Sequence, residues 1–104
     1  MHVADYFRDC GFEVIEAPDG ALALELLETD ASIDLVFTDV TLPGPLDGFA
    51  LAQWVRQRMP GLPVVLTSGK TNEATPACRD LSFFTKPCDY ADVAARIRAL
   101  LAGA

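Results

Sequence analysis

Asp39, Ser68 and Lys86 are the residues whose types and positions could do chemistry together. Asp39 closes the run Leu35-Val36-Phe37-Thr38, Ser68 follows Leu62 to Thr67, and Lys86 follows Leu81-Ser82-Phe83-Phe84-Thr85. Apolar and β-branched runs without alternation are strands covered on both faces, and each of these ends at a breaker: the Pro43-Gly44-Pro45 loop, Gly69 and Pro87. All three polar side chains therefore stand at carboxyl ends of strands, the rim where open α/β sheets bind ligands. A carboxylate ionised at neutral pH, a hydroxyl and a compact ammonium can converge there from distant parts of the chain.

The elements that must position them follow from the pattern. Val3, Ala4, Tyr6, Phe7 and Cys10 recur at helical spacing, and Gly11 stops that helix. Phe12 to Ala17 alternates as a strand, and Pro18-Asp19-Gly20 turns into a helix capped by Asp19. This helix is expected to bury Leu22, Ala23, Leu26 and Leu27 and to end near Thr29-Asp30. Ile33 to Thr38 is the central strand. Asp47 caps a helix from Gly48 through Arg56, with Arg56 and Arg58 near its negative end and Pro60-Gly61 as its stop. Leu62 to Thr67 is a buried strand. Lys70 to Asp80, with its poor apolar pattern, is a loop with at most a short irregular helix. Leu81 to Thr85 is the last strand, and a helix from Asp89 or Tyr90 carries the stripe Val93, Ala94, Ile97, Leu100 and Leu101. The whole is a parallel sheet of four strands with helices on both faces, joined by right-handed crossovers.

At 104 residues, 51% hydrophobic and 22% charged, the chain makes one globular domain over 1–104. A formal net charge of -7 argues against nucleic acid or an anionic membrane as its own partner and favours a basic protein surface. No stretch approaches the roughly 18 apolar residues of a membrane span, and nothing at the amino terminus resembles a leader, so the expected location is the cytoplasm. Cys10, Cys78 and Cys88 form no metal-type pair and read as reduced thiols. His2, near a chain end, reads as solvated.

One ordered set of residues is specific where each alone is weak: Gly11-Phe12-Glu13-Val14, Glu16-Ala17, Asp19-Gly20 and Ala23-Leu24, then Asp39 with Leu42-Pro43 and Asp47-Gly48, then Ser68-Gly69, then Lys86-Pro87. From Gly11 to the carboxyl terminus the chain resembles the receiver domain of two-component response regulators, in its flavodoxin-like fold. The resemblance implies that Asp39 accepts a phosphoryl group from a phosphohistidine on a sensor histidine kinase or a histidine phosphotransfer protein. Lys86 neutralises the phosphoryl oxygens, and Ser68, preferred to Thr67 because it precedes the small Gly69, offers them its hydroxyl. Phe83, three residues before Lys86, takes the aromatic switch position, turning inward as Ser68 moves toward the phosphoryl group. Asp39 and the backbone carbonyl of Thr41 are the implied Mg²⁺ ligands.

Receivers also carry an apolar strand and a pair of acids ahead of the helix that here occupies the first residues, and this sequence contains neither. In the family's strand order, 2-1-3-4-5, that strand lies between Phe12–Ala17 and Ile33–Thr38. Three arrangements answer this: a polypeptide that starts upstream of Met1, direct pairing of the two strands into a four-stranded sheet, or two copies that cover each other's edges; a homodimer is the expectation. Without the acids, Mg²⁺ binding is expected to be weak. The short, Pro-containing link from Gly69 to Leu81 also departs from the fuller helix of most receivers. The alternative reading is a degenerate receiver, an interaction module that works without phosphorylation. A phosphohydrolase with an aspartyl-phosphate intermediate is more remote, because Thr41 stands where an acid would protonate the leaving group and no cap domain is present.

Overall fold

Among the described residues, three of the four helices begin behind an aspartate, whose carboxylate accepts from N–H groups that have no partner within the helix. The computed structural model describes residues 3–69 and 82–103. After α1 (Val3–Asp9), Asp19 accepts from Leu22 N–H at 2.9 Å and opens α2 (Gly20–Thr29). Asp47 accepts from Ala50 N–H at 2.8 Å and opens α3 (Gly48–Arg58). Asp89 accepts from Ala91 N–H at 2.9 Å and opens α4 (Tyr90–Ala102). Gly11, at φ +95°, follows α1 in the left-handed conformation that its lack of a Cβ permits.

Between these helices lie β1 (Val36–Asp39), β2 (Val64–Ser68) and β3 (Ser82–Thr85). They form a parallel sheet in the order β1-β2-β3. All five residues of β2 are buried, as its unbroken apolar run requires. Alternation divides the core in two. Val64 and Leu66 pack with Leu27, Leu51, Ala52 and Val55 on the α2/α3 face, and Val65 packs with Phe7, Val93, Ala94 and Ile97 on the α1/α4 face. Phe83 and Phe84 divide the same way, one against each cluster. Burying each of these large side chains contributes about 1.5–3 kcal/mol.

Helices on both faces of a parallel sheet agree with expectation, but the strand count does not. Among the described residues the sheet has three strands, and Phe12 to Ala17 is not one of them. The direct pairing of this run with the central strand, which would have made a four-stranded sheet, does not form. The run is held by side chains instead. Arg8 Nη2 donates to Val14 O at 3.2 Å and to Glu16 Oε2 at 3.3 Å, Arg98 lies 5.4 Å over the Phe12 ring, and Phe12 and Val14 pack on the α1/α4 core. Phe7 bridges the gap, its ring centroid 6.1 Å from that of Phe12 and 5.1 Å from that of Phe37 in β1.

Smaller corrections have local causes. The central strand begins at Val36 rather than Ile33, where pairing starts with Val36 opposite Val64. Leu22 and Leu101, expected in apolar stripes, are 42% and 40% exposed. In α2 the face packed on the core runs through Ala23, Leu24 and Leu27, and Leu22 lies to its side. The loop expected over Lys70 to Asp80 lies outside the described residues.

Candidate functional site

The carboxyl ends of the three strands share one rim, and the hydrogen-bond register sets what meets there. Asp39, the last residue of β1, is the register partner of Thr67, and Val40 N–H donates to Thr67 O at 2.8 Å. Ser68, the last residue of β2, pairs with Thr85, and its carbonyl accepts from Lys86 N–H at 2.6 Å. Lys86 is thereby tied by its backbone to the end of the middle strand. Its side chain crosses that strand to place Nζ 2.8 Å from Asp39 Oδ1. The Lys86–Pro87 peptide is cis.

Thr67 donates its hydroxyl to the same oxygen, Asp39 Oδ1. The sequence singles out Ser68 for a phosphoryl oxygen and assigns Thr67 no role, and the structure adds the Thr67 hydroxyl on the carboxylate itself. The signal was a hydroxyl side chain ending the aliphatic run Val64-Val65-Leu66, a polar group in a position that is 1% exposed and so in need of an acceptor. Ser68 is also buried, at 3%.

The start of α3 closes the site from behind. Gly48 N–H donates to Val40 O at 2.7 Å, and a Cβ added at Gly48 would overlap the Asp39 carbonyl oxygen and lie 2.8 Å from Val40 Cα. The glycine of Asp47-Gly48 is there because backbone passes against backbone. Thr38 Oγ1 donates to Asp39 O at 2.9 Å on the same segment. Thr41 follows on the exposed loop that leaves β1 at this edge, and Phe83 stands within β3, half-buried against Leu66 and its neighbours.

A half-exposed carboxylate with an ammonium and a hydroxyl on one oxygen is a shielded nucleophile at an open rim. Comparison with known proteins gives this arrangement its context. The family model for the response regulator receiver domain matches residues 1–98. The chain belongs to that family. The transcriptional regulatory protein CseB of Streptomyces coelicolor is 38% identical over 96 residues, covering 88% of this chain and 39% of that protein. The alkaline phosphatase synthesis transcriptional regulatory protein PhoP of Bacillus subtilis is 35% identical over 95 residues, with the same two coverages. This receiver thus spans about 39% of the length of these curated relatives. Among solved structures, the receiver domain of NtrX from Brucella abortus superposes with a TM-score of 0.85 at 34% identity, covering 98% of this chain and 88% of that one. The flavodoxin-like fold is therefore that of a receiver, and receivers are signalling domains of two-component systems.

Receiver domains as a family bind Mg²⁺ at the phosphorylation site. Asp39 is the carboxylate that ends a strand here, and its Oδ1 already receives Lys86 and Thr67. Among the described residues no group of three or more His, Cys, Asp or Glu side chains could hold a metal ion. These residues do not by themselves make a magnesium cage. Among the described residues, no helix is long and apolar enough to cross a membrane.

Proposed function

We propose that Asp39 of this receiver is a phosphoryl acceptor for a phosphohistidine on a sensor histidine kinase or a histidine phosphotransfer protein, acting in the cytoplasm. The observation that supports this most is the Lys86 ammonium, delivered from the end of β3 to 2.8 Å from Asp39 Oδ1. A free carboxylate repels an incoming phosphoryl group, and a cation at this distance offsets that repulsion. In the transfer an Asp39 oxygen forms a bond to phosphorus while the phosphorus–nitrogen bond to imidazole breaks. The nitrogen keeps the electron pair, and the product is an acyl phosphate. Lys86 then faces the phosphoryl oxygens, Ser68 offers its hydroxyl to one of them, and Phe83 answers the movement by turning inward. Asp39 and the Thr41 carbonyl are the groups that would hold Mg²⁺, weakly, since they make no full cage by themselves. A second copy of the chain covers the open edge of β1.

The test is incubation with acetyl phosphate or phosphoramidate in buffer containing Mg²⁺, followed by intact mass measurement. The expected result is a single phosphoryl adduct that is absent from Asp39→Asn. A folded wild-type chain that takes up no phosphoryl group would instead make the domain an interaction module working without phosphorylation. Light scattering on the eluting protein tests the homodimer, and a monomeric mass would overturn that part.

A further inference from the structure

We infer that Thr67 is a positioning residue that determines which oxygen of Asp39 attacks phosphorus, a role that rests on Asp39 being the phosphoacceptor. Thr67 is 1% exposed and lies directly beside Asp39 in the β1/β2 register. Its β-branched side chain has few rotamers open to it in a strand, so the hydroxyl is aligned before any donor arrives. That hydroxyl donates to Oδ1, and the Lys86 ammonium lies 2.8 Å from the same atom.

Two donors on one oxygen of a carboxylate make the two oxygens inequivalent. Oδ1 is stabilised where it is, by bonds strengthened by its charge, while Oδ2 keeps the lone pair that attacks. As Oδ2 forms its bond to phosphorus, the phosphorus–nitrogen bond of the donor breaks and the nitrogen leaves with the electron pair, taking a proton from solvent. Oδ1 becomes the carbonyl oxygen of the acyl phosphate with the Thr67 hydroxyl still upon it. Because the hydroxyl is in place beforehand, no reorganisation is needed when charge moves. This role differs from that of Ser68, whose proposed contact is with the phosphoryl group.

The experiment measures the rate of Asp39 labelling by phosphoramidate, by intact mass against donor concentration, in wild type, Thr67→Val, Thr67→Ser and Thr67→Ala, with thermal midpoints for each. Thr67→Val keeps the shape and removes the donor. The expected result is a maximal rate lowered about tenfold, the scale of one hydrogen bond to a charged group, with half-saturation unchanged and the rate largely restored in Thr67→Ser. Thr67→Ala carries the same test if the Val chain does not fold. Labelling of Thr67→Val at the wild-type rate overturns the inference, and so does a Thr67→Ser chain as slow as Thr67→Val, which would assign the effect to packing. An unlabelled wild type overturns both this inference and the phosphoacceptor reading, whereas a labelled wild type with an indifferent Thr67→Val overturns this one alone.

Discussion

Lys86 and Asp39 face each other with side chains 47% and 43% exposed. An ion pair so open to water contributes only about 0–1 kcal/mol to stability, so its use is chemical. Lys86→Gln is accordingly expected to shift stability in urea by less than about 1 kcal/mol while slowing acetyl phosphate labelling of Asp39 by tenfold or more, about the loss of one charge contact. Tyr6 gives a pH-dependent counterpart. Desolvation, with the Cys10 thiol and the Asp89 carboxylate adding to it, raises its pKa above the ordinary 10.0. The folded chain keeps a proton that the unfolded chain has already lost. Its contribution is therefore full below about pH 10 and is lost as pH rises through the folded value. In thermal melts on the alkaline side, Tyr6→Phe is expected to lose less stability than wild type. At this scale Asp39 and Lys86 were legible because acids and lysines that end apolar runs stand out. The Thr67 hydroxyl on Asp39 was not, because composition is silent on which side chain of one strand lies beside an acid of the next, and only the register opposite Asp39 places it there.

The elements around the site were readable where their signals are local. Asp19 and Asp47 cap the helices they were expected to cap, and Asp89 caps the helix expected to begin at Asp89 or Tyr90, since each needs only its own next turn. Phe12 to Ala17 shows the opposite case: its alternation is that of a strand, yet a strand needs a neighbour, and neither β1 nor any other described residue pairs with it. Leu22 and Leu101 faced solvent for a related reason, because a periodic stripe gives a direction but not its width. Gly48 joins the two kinds of information. The Asp-Gly pair marked a helix start, and the structure adds that the glycine lies against the Asp39–Val40 backbone. Gly48→Ala must push α3 away from that backbone. The expected cost is about 2 kcal/mol or more in urea unfolding, typical of an overpacked site, together with slower labelling of Asp39.

Across the whole molecule, one ring joins parts that the sheet leaves apart. Phe7, 5% exposed, contacts Phe12, Phe37, Tyr6 and Tyr90 at centroid distances of 5.1–6.5 Å. Phe7→Ala is expected to cost about 3–5 kcal/mol, a large share of the stability of a domain this size, as measured by the urea midpoint.

Because Arg8, Arg98 and Phe7 hold Phe12 to Ala17 in place of a ladder, the domain should keep two clocks. In heavy water, deuterium is expected to enter the amides of Glu13, Val14 and Ile15 early, through local excursions that leave the rest folded. The amides of Val65 and Leu66, shielded by a strand on either side, should exchange only when the entire chain opens.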